Sequence, residues 1–504
     1  MIKKIATNTL ANYILKGLQL VLNLVAIPIL VHKLGEEGFG IILFAGVIVG
    51  YFNVLELGIS DGVTKYVAQY LALKNYEKLQ KIINSSLNLF LFIGVLVAIL
   101  IVTWSYLGGV SWFNVDNMQE SNYTKVFIAA GFVAITSWPQ ILLKSVFKGI
   151  QDFVTLNIMV GVGRLISVGL AILVALYTEI DIVYIFLLFN LDKVVLTFWQ
   201  YWVLKKKLPF WSFKLFYFDK PTFRFIFSFS GWIMLGQLAV LLEYQADQLI
   251  IISFLSASYI TVYAVIFYLF RIIQQISGLA ASAVMPAISQ MNETKDKSEI
   301  KQFVLNAVKV HSLIYVPITI VLFFMAEPFI RLWMGEKYLQ YIVLIRLSIA
   351  FQLVWQSGAM FGQLYVGLGF SKKPGLIAII VGVSNVILSI ILVKYIGIAG
   401  VVLGTICIGT LSVPFVIFWM IPDIDIKPSS YFKTIFLKTQ LPLILASSFL
   451  FVFFNFINQI ENWIFLALIA VVFYLYLLVI TFLFIIEKGK RQKLIYRVQK
   501  MIYR

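Results

Sequence analysis

The sequence predicts an all-α membrane protein of about fourteen transmembrane helices, arranged as two pseudo-symmetric six-helix lobes plus two C-terminal helices. Three observations carry this reading. The 504 residues are 61% hydrophobic, with a mean hydropathy of +0.95. Mostly apolar stretches recur along the whole length, each long enough to cross a hydrocarbon core of about 30 Å. The chain also resembles itself when displaced by about 221 residues.

The elements follow in order. Met1-Ile2-Lys3-Lys4 precedes an apolar run broken by Asn8, Asn12, Lys16, Gln19 and Asn23. That polarity reads as a retained first span and not as a signal peptide. Spans fall at approximately 12–32, 39–60, 84–106, 126–146, 153–177, 182–204, 226–252, 258–280, 306–326, 342–366, 374–394, 397–420, 436–457 and 463–486. Prolines 28, 139, 317, 414 and 442 lie inside spans, where neighbouring helices can satisfy the freed backbone groups.

An even count puts both termini on one side, and basic residues say which. The termini and alternate loops, among them Lys74, Lys78, Lys81, Lys144, Lys148, Lys205–Lys207 and Lys297, hold most of the 40 basic residues. The other side holds Lys33, Lys125, Arg331, Lys337, Arg346 and Lys394, together with acids such as Glu36, Glu37 and Glu179. Both termini are therefore expected in the cytoplasm. The net charge of +17 marks topology and not a nucleic-acid surface. Two basic-aromatic segments, Lys205–Arg224 and the tail Glu487–Arg504, read as elements of the membrane surface.

The repeat sets Leu34-Gly35-Glu36-Glu37-Gly38-Phe39 over Leu255-Ser256-Ala257-Ser258-Tyr259-Ile260, and Val63, Gln69 and Lys74 over Val284, Gln290 and Lys295. Six spans per copy give both halves the same orientation. The expected organisation is an N-terminal lobe at 1–207, a cytoplasmic linker at 208–225, a C-terminal lobe at 226–422, two further helices at 436–486 and a basic tail at 487–504.

Charges buried in the spans are the candidate site. A charge at the bilayer centre costs about 2.5–3.5 kcal/mol on insertion scales, so it faces a partner or a wet cavity. Arg164, Lys193, Arg271 and Lys16 are the candidate cations for an anionic substrate. Arg164 pairing structurally with Asp192 is the bland alternative. Glu243 and Asp247 lie four residues apart on one helical face, and with Asp192 they are the candidates for binding a coupling H⁺ or Na⁺. No phosphate-binding glycine loop and no cluster with metal-ligand spacing is present, so neither an ATPase nor a resident cofactor is expected. Cys407 is a lone packing residue.

The second span and its flanks carry a recognisable pattern: Leu34-Gly35-Glu36-Glu37-Gly38-Phe39-Gly40, then Gly50-Tyr51-Phe52-Asn53-Val54-Leu55-Glu56-Leu57-Gly58-Ile59, then Val63-Thr64-Lys65-Tyr66. With Asp247-Gln248-Leu249-Ile250-Ile251 and Gly367-Leu368-Gly369 before Lys372-Lys373-Pro374, it resembles the polysaccharide flippases of the multidrug/oligosaccharidyl-lipid/polysaccharide exporter superfamily, the O-antigen and capsule translocases. The family usually has Arg and Gly where this chain has Gln248 and Ser253. The resemblance implies a MATE-like transporter, not an enzyme. It would move undecaprenyl-pyrophosphate-linked oligosaccharide to the outer leaflet by alternating access, alongside membrane lipids and glycan polymerase machinery. Gln19, Asn23, Asn53, Gln237, Gln352 and Gln356 are expected to offer partners to sugar hydroxyls. The rivals are a multidrug/cation antiporter on the same scaffold, which favours an acidic cavity, and a glycan polymerase or ligase, which needs a large external loop.

Overall fold

The structure, a computed structural model, describes residues 2–52, 56, 59–113, 120–221, 245–282, 284, 288, 291, 296–368, 372–453, 456–457, 459–485 and 491–492; of residues 2–14, 16, 279–282, 363 and 366 only the backbone is described. Among them the regular structure is helical throughout. In order, α1 is Ile2–Tyr51, α2 Ile59–Ala72, α3 Tyr76–Tyr106, α4 Glu120–Gly149, α5 Phe153–Tyr177, α6 Ile182–Phe189, α7 Leu191–Lys207 and α8 Ala246–Phe254. Then come α9 Ala257–Ile266, α10 Tyr268–Ser282, α11 Lys297–Met334, α12 Ile342–Gly367, α13 Lys372–Ile396 and α14 Ile398–Met420. The last two helical runs, α15 and α16, cover Pro428–Val452 and Trp463–Ile485.

Among the described residues, 11 helical runs are long and apolar enough to span a membrane, or up to 12 with the bent pair α9/α10 counted as one. The expected count was larger by two. The first two expected spans share α1, which is continuous in hydrogen bonding but breaks at Gly35 (φ 73°, ψ 170°), a backbone shape that suits glycine. The expected span 226–252 lies mostly outside the described residues, which resume at Gln245.

Cα proximity groups the chain into two compact units: Met1–Val262 with Val386–Val401, and Tyr263–Asn385 with Val402–Arg504. In the first, α3 and α4 pack around the buried Trp138, whose ring meets Phe90 edge-on at 5.7 Å. Near the break in α1, the outer half of that helix runs against the start of α9. Thr261 Oγ1 donates to the Glu36 carbonyl at 2.6 Å. A Cβ on Gly40 would overlap the Ala257 carbonyl, so only glycine permits this approach.

In the second unit, a buried cluster around Phe361, Tyr365, Met420 and Tyr431 joins α12, α14 and α15. Here α9 and α10 meet at a 50° bend. A bend in a membrane helix frees carbonyls that lipid cannot satisfy. Ser348 Oγ on α12 donates to the Ile266 carbonyl at 3.1 Å, and Gln352 Nε2, one turn further along, donates to the Phe270 carbonyl at 3.3 Å. Gln356 in turn donates to Gln352 Oε1 at 2.8 Å. Gln352 and Gln356 are buried, at 0% and 3% exposure. Their amides therefore close the helix bend and are not offered to sugar hydroxyls, which corrects the expectation from sequence. Gln352→Leu should remove the donor to the Phe270 carbonyl and strand the buried Gln356 amide that donates to Gln352 Oε1, a loss of about 1–3 kcal/mol. The expected result is a lower thermal midpoint in detergent; an unchanged midpoint would mean that the bend is held by packing alone.

Candidate functional site

The site grows from an interruption in one helix. The run Ile182–Lys207 is long enough to span but is cut at Asn190, where α6 stops and α7 starts. Asn190 closes the end of α6 with its own backbone N–H, which donates to Phe186 and Leu187, and with its side chain, which donates to the Phe186 carbonyl. The Phe189 carbonyl is released by the cut. Arg164, on the neighbouring α5, takes it: Nη1 donates to Phe189 O at 2.8 Å, and the guanidinium lies 4.2 Å from the centre of the Phe189 ring. A cation at a helix C-terminus meets the negative end of its dipole.

Asp192 and Lys193 fall in the first turn of α7, directly after the cut. The Arg164 guanidinium stands 3.6 Å from Asp192 Oδ1, an ion pair longer than a hydrogen bond, with side chains 20% and 14% exposed. Among the described residues Asp192 Oδ1 accepts no hydrogen bond. Gln140 on α4 donates to the Asp192 backbone carbonyl at 3.3 Å, and Lys144 Nζ donates to Gln140 Oε1 at 2.9 Å. Both Lys144 and Lys193 feel the Asp192 charge, and each is also acted on by another cation. Thr197 Oγ1, one turn on, bonds the carbonyls of Thr136 and Lys193 and so ties α7 to α4.

The result is a half-buried cluster of Arg164, Lys144 and Lys193 around one carboxylate. A buried pair of opposite charges roughly balances its own desolvation. Two surplus ammonium groups do not, and they make the cluster a place where an anion gains. Lys144 belongs to it although the sequence pattern assigns it to the basic cytoplasmic flank. Its spacing of four from Gln140, within an otherwise apolar helix, was the available signal.

The other candidates distribute as follows. α1 passes α5 at Gly161, against Leu15 and Leu18, one turn before Arg164. The Lys16 side chain itself lies outside the described residues. Arg271, on α10, is exposed and belongs to the second compact unit. Asp247 is fully buried in the first turn of α8, and its charge acts on Tyr51 at the end of α1. The Gln245 amide sits where a Cβ on Gly50 would be, 2.9 Å from it. The oxygens Tyr51 Oη, Gln245 Oε1 and Gln248 Oε1 lie buried without hydrogen bonds among the described residues. Glu243, the expected companion of Asp247, lies outside the described residues, as do Asn53 and Gln237.

Comparison with known proteins places the chain among bacterial membrane proteins. A family model described as polysaccharide biosynthesis protein matches residues 2–292. The uncharacterized membrane protein EpsK of Bacillus subtilis is 24% identical, over 99% of this chain and 98% of its own. A putative O-antigen transporter of Shigella flexneri is 22% identical over 62% of this chain and 74% of its own. Among solved structures, the lipid II flippase MurJ in an inward closed conformation superposes with a TM-score of 0.71 at 18% identity, covering 95% of this chain and 99% of that one. An inward-facing multidrug resistance MATE family transporter gives 0.65 at 18% identity, covering 81% and 94%. The fold is thus the one shared by MurJ and the MATE transporters.

Proposed function

Since the chain belongs to the polysaccharide biosynthesis protein family, we propose that it is a flippase. It moves undecaprenyl-pyrophosphate-linked oligosaccharide from the cytoplasmic to the outer leaflet of the bacterial inner membrane. The observation that carries this reading is the charge imbalance at the cut in Ile182–Lys207: Arg164, Lys144 and Lys193 against the single Asp192. A pyrophosphate brings at least two negative charges and several acceptor oxygens. The Arg164 fork, held on a carbonyl and on a loosely paired carboxylate, can exchange these partners for phosphate oxygens in a low-dielectric setting where such contacts strengthen. A cationic drug would meet repulsion at the same place, which disfavours the antiporter reading. One relative is named an O-antigen transporter, and the structural neighbours are a flippase and a multidrug transporter, in keeping with a chain that carries and does not catalyse.

Fourteen spans in two related lobes, with both termini cytoplasmic, complete the proposal. The contact beside Gly35 supports the pseudo-symmetry. Under the 221-residue displacement Glu36 corresponds to Ala257 and Gly40 to Thr261. Glu36 touches Thr261, and Gly40 touches Ala257. Each residue thus meets the counterpart of the other, which is what a two-fold axis imposes. Asp247, with Glu243 and Asp192, is the proposed seat of a coupling H⁺ or Na⁺. Arg271 and Lys16 are proposed to extend the cationic path.

The test is genetic and chemical together. Cells lacking the chain should lose surface glycan and accumulate lipid-linked oligosaccharide on the cytoplasmic leaflet. Re-expression of the double variant Lys144→Ala, Lys193→Ala should leave both defects in place. Full restoration by that variant, at normal protein level, would remove the basic cluster from the mechanism.

A further inference from the structure

The segment after α7 is not a free loop. Lys207 closes the helix on an ion pair with Asp152 at 2.5 Å, and Asp152 also caps α5 by accepting from the Thr155 N–H. Burial alone would raise the Asp152 carboxyl, but the Lys207 ammonium and the Thr155 amide hold it below its ordinary range. Leu208 and Trp211 are then buried, the indole N–H donating to Asn84 Oδ1 at 3.0 Å.

From there the chain runs along one ridge of α3. Gln80 Nε2 donates to Ser212 Oγ, Asn84 Nδ2 to the Ser212 carbonyl and Asn88 Nδ2 to the Lys214 carbonyl; the Phe216 N–H donates back to Asn88 Oδ1 at 2.7 Å. The Asp219 N–H donates to Ser85 Oγ. The spacing explains the ladder. Four helical residues rise about 6.0 Å and two extended residues about 6.6 Å, so Asn84 meets Ser212 and Asn88, one turn on, meets Lys214. Amide side chains suit the task because each carries both a donor and an acceptor, and Asn88 uses both on the strap backbone.

What this scaffold holds up is apolar. Phe216 is 90% exposed, Leu215 60% and Phe218 55%. Phe216 sits at φ 57°, a shape that an aromatic residue rarely adopts, fixed here by the Asn88 bond. Lys205, Lys206, Lys214 and Lys220 flank these residues along the chain, and all four are exposed. The preceding turn of α7 shows Phe198 and Trp202 at 62% and 64% exposure. A rigidly presented aromatic tip with a collar of lysines, directly at the end of a spanning helix, fits one occupant: the headgroup layer of an anionic leaflet. We propose that residues 208–220 form a membrane-surface anchor in which Phe216 and Leu215 enter the acyl boundary and the four lysines hold anionic phospholipid headgroups.

The experiment uses the full chain in proteoliposomes. With Cys407→Ser as background, Phe216→Cys or Leu215→Cys carries a nitroxide, and Ser298→Cys, exposed at the start of α11, serves as the aqueous control. In phosphatidylglycerol-rich vesicles the ratio of collisions with oxygen to collisions with an aqueous nickel chelate should be several-fold higher at 215 and 216 than at 298. It should fall toward the control in phosphatidylcholine vesicles, and when the four lysines become glutamine. Labels at 215 and 216 as accessible to nickel as 298 would overturn the proposal. So would labels shielded from both reagents, the mark of a protein surface over the patch.

Discussion

Arg164→Ala is expected to abolish surface glycan in cells that depend on this chain, with a reduced amount of the protein still reaching the membrane. The side chain does three things at once: it satisfies the Phe189 carbonyl at the cut helix, it stacks on the Phe189 ring and it stands opposite Asp192. A hydrogen bond to a charged group is worth about 1.5–3 kcal/mol, roughly 10- to 150-fold in an equilibrium. Arg164→Lys keeps the charge and loses the planar fork, so an intermediate level of glycan is the expected result. Removing the cation also strands Asp192. The double variant Arg164→Ala, Asp192→Asn should therefore recover protein level without recovering glycan. Recovery of both would reduce the pair to a structural one.

Gly40→Val should act at the other end of the fold. The new side chain would overlap the Ala257 carbonyl and crowd Thr261 Oγ1, forcing α1 away from α9 and breaking the bond from Thr261 to Glu36. Overpacking of this kind costs about 1–3 kcal/mol, enough to shift a two-state equilibrium by roughly 5- to 150-fold. Thr261 is fully buried. In a Cys407→Ser background, labelling of Thr261→Cys by an impermeant maleimide should be slow in the parent and rise at least about tenfold with Gly40→Val, the response to some 1.4 kcal/mol of opening. Equal rates in the two backgrounds would show that this contact yields without opening.

These two sites were unequally legible in the sequence. Spans are local and compositional, so α5, for instance, spans Phe153–Tyr177, the residues that hydropathy marks. The break at Gly35 is equally local, announced by a polar run from Lys33 to Glu37. The cut at Asn190 is not, because Leu187-Leu188-Phe189-Asn190-Leu191 reads as unbroken apolar helix until Asp192. The sequence therefore identified Arg164, Asp192 and Lys193 as charges needing partners but could not assign Phe189 O as one of them. Lys144 was hidden because a basic residue within two turns of a helix end fits topology as well as it fits a site. Gln352 and Gln356 failed differently: Gln352 is engaged by the Phe270 carbonyl and Gln356 by Gln352, contacts that arise from how α12 packs on α10, and helix packing leaves no mark on composition.

The surplus of positive charge beside Asn190 also has an electrical meaning. Each elementary charge carried across a membrane held at 100 mV exchanges about 2.3 kcal/mol with the field. On the proposed reading, an unoccupied binding centre is cationic and is drawn toward the negative interior, whereas one neutralised by a pyrophosphate cargo travels outward with little electrical work. Voltage alone would then return an empty carrier to the side where its cargo is made.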